Sequence, residues 1–126
     1  MEKKIITSAD APSPIGPYSH GVLCNGVLYT SGQVAKDART GEMIQKDIKV
    51  ETHKVMENLA HILKAANMDF KNVVKTTIYC TDLANFAVIN EVYGSYFDSD
   101  FPARETVQVV KLPLNANVEI SVVAVY

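Results

Sequence analysis

The eight residues VEISVVAV, 118 to 125, constrain this chain more than any other stretch. In an extended strand, successive side chains alternate between the two faces. Val118, Ile120, Val122 and Ala124 then point one way and suit a face covered by helices. Glu119, Ser121, Val123 and Val125 point the other way, yet half of these are also apolar. A strand buried on both faces loses its polar alternation, so this one asks for a cover on each side. Glu119 is its lone carboxylate, and a charge in such a strand must face water, find a partner or line a site. The preceding stretch FPARETVQVVKLP carries one of the two arginines of the chain, Arg104, on a further strand candidate that leads on through a Pro113-centred connection.

The elements before it follow from pattern. KKIIT (3–7) is a short strand candidate, and residues 20–24 and 27–34 form a hairpin around Asn25-Gly26, the strongest short-range hairpin signal. Asp47 can cap a helix over 48–66, whose stripe is Thr52, Val55, Met56, Leu59, Ile62, Leu63 and Ala66. Lys49, Glu51, Lys54, Glu57, His61 and Lys64 occupy mainly its other side, and Asn67 offers a left-handed stop. VVKTTIYC (73–80) is a strand rich in β-branched and aromatic residues. Thr81 or Asp82 then caps a second helix over LANFAVINEVYGSYF, with Leu83, Phe86, Ile89, Tyr93 and Phe97 as its stripe. The sum is an α+β fold in one domain, 1–126, with two layers: a mixed sheet of about six strands and two helices on one face. Two helices leave the second face of the sheet open, and the doubly apolar last strand predicts that another copy covers it in an obligate homo-oligomer.

Several function classes drop out. A net charge of −2 gives no general attraction to a phosphate backbone, which argues against nucleic acid as a partner. Lys3 and Lys4 precede only Ile5-Ile6, too short for a signal-peptide core, and no apolar run is long enough for a bilayer. Cys24 and Cys80 lie in strand-like apolar contexts and read as reduced core thiols, pointing to a cytoplasmic protein. His53 and His61 lack a partner at ligand spacing and read as surface residues, not a metal site. There is no phosphate-binding glycine loop and no GxSxG turn, and His20 enters no Ser-His-Asp set that spacing can propose.

An arginine, an isolated strand carboxylate, several hydroxyls and a strand glycine remain. Arginine offers a donor fork that matches a carboxylate, and a desolvated glutamate can position or deprotonate water. Together they suit a small carboxylate-bearing substrate that reacts with water. A structural Arg104–Glu119 ion pair is the equally weighted alternative. Gly32, late in the hairpin after Thr30 and Ser31, marks either a bulge or a close approach of backbone. Tyr18 follows a loop stiffened by Pro12, Pro14 and Pro17, and is a surface anchor or, less commonly, a site wall. Asn90 falls on the edge of the second helix's stripe, where most polar residues are simply boundary positions.

Read together, IGPYSHG, TSGQV with TGE, NEVY, PARETVQVVKLP and VEISVVAV resemble the Rid family of reactive-intermediate deaminases, specifically the RidA subgroup, over essentially the whole chain. The resemblance implies a chorismate-mutase-like fold assembled as a homotrimer, with clefts between neighbouring subunits. It implies hydrolysis of 2-imino or enamine acids, such as 2-iminobutanoate and 2-iminopropanoate, to 2-keto acids and ammonia, with no metal or organic cofactor. By the same resemblance Arg104 clamps the substrate carboxylate and Glu119 holds the attacking water. Tyr18 closes the cleft, Ser31 and Gly32 present backbone to the ligand, and Phe86 and Asn90 lie near it. Backbone of the 103–106 segment, from Ala103 to Thr106, helps to orient the substrate. Thr106 is a departure, since many RidA members carry cysteine there; a thiol nucleophile is then not required. Two other readings stay open: a non-catalytic regulator that binds small carboxylates, and the endoribonuclease or translation-inhibitor role also attached to the family.

Overall fold

The computed structural model describes residues 2–126. Asn25 and Gly26 both adopt left-handed backbone, φ 53° and 77°, which matches the twist of the strands a two-residue turn must join. They connect β2 (Gly21–Cys24) to β3 (Val27–Thr30), in register from Gly21↔Thr30 to Cys24↔Val27. β1 (Lys4–Ile6) adds antiparallel to the outer side of β2. β3 is shorter than its pattern predicts. Its ladder stops at Thr30, and pairing resumes only at Gln33, as a single bridge to Ile120.

Helix α1 (Ile48–Ala65) begins where Asp47 accepts a hydrogen bond from Val50 N–H at 2.8 Å, and Asn67 follows its end at φ 58°. Val55, Met56, Leu59, Ile62 and Leu63 are fully buried, as the stripe requires. Glu51 corrects the expected polar side, because it too is fully buried. Its carboxylate accepts from Asn117 N–H at 2.8 Å and from the Asn117 side-chain amide at 2.7 Å, which replaces the lost water. Asn58 is buried likewise, donating at 3.0 Å to the carbonyls of both Val34 and Lys36.

β4 (Val73–Cys80) leads through a 3-10 turn, Leu83–Asn85, into α2 (Phe86–Gly94) and then β5 (Ala103–Gln108), which pairs parallel to β4. A parallel neighbour needs a crossover, and α2 provides it. Asp82 caps the 3-10 turn by accepting from Ala84 N–H at 2.9 Å. α2 is therefore shorter than the pattern suggests; Ile89 and Tyr93 are buried, while Leu83 and Phe86 of the expected stripe are exposed.

β6 (Val118–Val125) inserts between β3 and β4, antiparallel to both, and completes the sheet order β1-β2-β3-β6-β4-β5. The last two strands are thus separated by β4. The segment between them crosses by a further 3-10 turn, Pro113–Asn115, in which Leu114 and Asn115 are both left-handed at φ 57°. Val118, Ile120, Val122 and Ala124 are buried in the core with α1. Thr76 stands opposite Val122 and accepts a 2.8 Å hydrogen bond from the Tyr93 hydroxyl of α2, so both helices cover this face. On the other face Thr77, Tyr79, Glu119, Ser121, Val123 and Val125 are only half-buried, and Tyr29 is exposed. Among the described residues no helix is long and apolar enough to cross a membrane.

Candidate active site

Glu119 stands opposite Tyr79 on the open face of the sheet. The interruption of β3 brings Gly32 against it. A Cβ at position 32 would sit 2.5 Å from Glu119 Oε2 and 2.8 Å from its Cδ, so only glycine leaves room for the carboxylate. Gly32 is both the break in the ladder and the close approach. Glu119 makes no ion pair among the described residues, and burial pushes its carboxyl up from the ordinary value.

A cleft of about 360 Å³ opens above this pair, lined also by Tyr18, Ser31, Ile15 and Leu114. Tyr18 is a wall as well as an anchor: its half-exposed ring faces the cleft while its hydroxyl accepts from Ile15 N–H at 3.3 Å. Ser31 Oγ donates to the Ser19 carbonyl, tying the floor to the proline-rich loop. His20 holds the same loop. Its Nδ1 accepts from Ser8 N–H at 3.1 Å and its Nε2 donates to the Pro12 carbonyl at 2.7 Å, so both ring nitrogens are spent on structure.

Arg104 lies elsewhere. It stands opposite Thr76 in the β5–β4 ladder and so points to the helix side. Its guanidinium carbon sits 5.2 Å from the Tyr93 ring centre and 5.7 Å from that of Phe86. Such stacking contributes about 0.5–1 kcal/mol at an exposed site and leaves the donor fork unused. Arg104 makes no ion pair among the described residues. A second cleft of about 350 Å³ is lined by Arg104, Asn90, Tyr93 and Phe101. Asn90 Oδ1 and Thr106 Oγ1 are buried without a hydrogen-bond partner. Each such group costs about 1–3 kcal/mol until something satisfies it. Ala103 is exposed at the start of β5.

Thr76 and Tyr79 are three residues apart on β4, so the side chains facing them, Arg104 and Glu119, leave opposite faces of the sheet. That geometry excludes an Arg104–Glu119 ion pair within one chain. Within one chain Tyr18, Ser31, Gly32 and Glu119 gather at one cleft, while Asn90 and Arg104 line the other, with Phe86 against the guanidinium and Thr106 on the same face of β5. The side chain of Ala103, next to Arg104 in the strand, leaves by the opposite face and joins neither. The sequence reading missed Tyr93 as a site residue. Its signal was available, three residues after Asn90 on α2, but an aromatic in an apolar stripe reads first as core.

A family model described as Endoribonuclease L-PSP matches residues 8–126. The chain belongs to this family, the Rid proteins. It resembles the human 2-iminobutanoate/2-iminopropanoate deaminase at 42% identity over 123 residues, covering 98% of this Rid protein and 90% of the human one. Among solved structures it resembles Escherichia coli TdcF with bound serine, at TM-score 0.93 and 40% identity, with 98% of each chain covered. RidA from an Antarctic Psychrobacter gives TM-score 0.94 and 36% identity over 98% of this chain and 99% of that one.

Proposed function

We propose that this Rid protein is a 2-iminobutanoate/2-iminopropanoate deaminase, an enzyme that hydrolyses 2-imino and enamine acids to 2-keto acids and ammonia. The observation that carries this reading is Glu119: a half-buried, unpaired carboxylate held against Gly32 at the floor of an open cleft. Similarity to the human deaminase over nearly the whole chain supports it.

Arg104 binds the substrate carboxylate through two N–H donors, with Thr106 and Asn90 beside it. Glu119 accepts a proton from a water as the oxygen of that water bonds to the imine carbon. Glu119 passes that proton to the imine nitrogen, giving a tetrahedral adduct with an amine and a hydroxyl on one carbon. The hydroxyl proton then moves to the amine, again by way of Glu119, as the C–N bond breaks, so that ammonia leaves, the ketone forms and the carboxylate is restored. Holding water and imine together in one orientation is the main contribution asked of the site.

Because Arg104 and Glu119 leave opposite faces of one sheet, the working site in this reading joins the Arg104 cleft of one copy to the Glu119 cleft of another. A homotrimer of the chorismate-mutase-like kind, packed through the open faces, would place them so. RNA cleavage is disfavoured, since His20 spends both nitrogens on backbone and the net charge is negative.

The test is ketobutyrate formation by a threonine dehydratase, followed with semicarbazide competing for the imine. Added protein should raise the ketobutyrate rate and spare the imine from capture. No acceleration, or full activity in Arg104→Ala, ends the deaminase reading.

A further inference from the structure

Three large apolar side chains gather at the mouth of the Glu119 cleft, although each is well exposed: Ile15 at 61%, Tyr18 at 48% and Leu114 at 44%. Leu114 is the least expected of them. It holds a left-handed backbone, φ 57°, which leucine adopts only against its own preference. The turn is secured on both sides. Gln45 Nε2 donates to the Asn115 carbonyl at 3.2 Å, Ala116 N–H donates to the Pro113 carbonyl at 3.1 Å, and Glu51 grips Asn117. The facing wall is secured too, by His20 on Pro12 and by Ile15 N–H on the Tyr18 hydroxyl.

We propose that Ile15, Tyr18 and Leu114 form the receptor for the substrate side chain, and that Leu114 is a specificity-determining residue favouring aliphatic side chains. The inference rests on the deaminase reading and deepens it. The volume open in a single chain, about 360 Å³, falls within the roughly 300–1,000 Å³ of small-molecule sites, and its apolar mouth offers an aliphatic side chain contact that grows with chain length. The walls are held before any ligand arrives, so ordering them costs binding little. Lys36 also borders the cleft, which makes an anionic side chain the competing occupant.

The experiment compares imino acids made in situ by an amino-acid oxidase from alanine, leucine and glutamate, with semicarbazide as the competing trap. Leu114→Asn is the main variant, because asparagine tolerates left-handed backbone while removing the apolar wall. The preference for the leucine-derived over the alanine-derived imine should fall about tenfold, the scale of a lost apolar contact in a specificity pocket. Ile15→Ser, on the opposite wall, should move the same ratio in the same direction and serves if the turn does not tolerate change. Unaltered ratios in both variants, or a preference of the unaltered protein for the glutamate-derived imine, overturn the inference while the deaminase reading stands. Inactivity of the unaltered protein toward all three removes the deaminase reading, and this inference with it.

Discussion

Glu119 is held in a place that disfavours its charge, and this has consequences both for catalysis and for stability. Desolvation raises its folded pKa above the unfolded value. Between the two values the folded chain keeps a proton that the unfolded chain has lost, so stability falls as pH rises through that window. Glu119→Gln should therefore melt higher than the unaltered protein above the window and converge with it below the ordinary carboxylate pKa, as thermal unfolding across pH would show. The same substitution should remove deaminase activity, and in the unaltered protein activity should rise with pH on a limb above the usual carboxylate range. Gly32→Ala isolates geometry from charge. The new methyl would press on the flexible end of Glu119 and not on backbone, so the fold should survive while the carboxylate is pushed off position. We expect kcat to drop at least tenfold with a melting temperature near the original. Arg104→Lys keeps charge but loses the planar fork; giving up two charge-assisted bonds, on the order of 3 kcal/mol, predicts roughly a hundredfold loss in kcat/KM.

The elements were readable wherever one physical signal dominated. The Asn25-Gly26 hairpin, the Asp47 cap, the Asn67 stop and the strand 73–80 follow from turn chemistry, capping and β-branching, and all stand in the structure. Arg104 and Glu119 could be nominated as unusual charges, yet their placement on opposite faces depends on pairing register, which no local pattern carries. Gly32 could be flagged, but only the Glu119 carboxylate beside it explains why a side chain is excluded. Glu51 escaped for another reason. It looks like an ordinary first-turn acid, and its burial depends on Asn117, brought over by the fold. Glu51→Ala should cost about 2–4 kcal/mol, because two donors of the half-buried Asn117 lose a charged acceptor, whereas Glu51→Gln keeps one acceptor and should cost distinctly less. Urea unfolding of the two variants separates these outcomes.

At the scale of the whole molecule, the proposed site belongs to no single chain, and that makes it testable by mixing. Arg104→Ala and Glu119→Gln should each be inactive alone. Co-refolded in equal amounts into a cyclic assembly, about a quarter of the junctions would pair an intact arginine with an intact glutamate. Recovery of activity near that fraction supports a shared site, and none at all counts against it. β6 carries a different consequence. It is the last of the strands in sequence but lies in the interior of the sheet, hydrogen-bonded to β3 on one side and β4 on the other. During synthesis the hairpin, the helices and the β4–β5 pair all emerge before the strand that joins them. Two open sheet edges must wait for it, and closing that gap carries the entropy of long loops. The carboxylate of the proposed site rides on this late arrival, so Glu119 reaches Gly32 only when β6 completes the sheet.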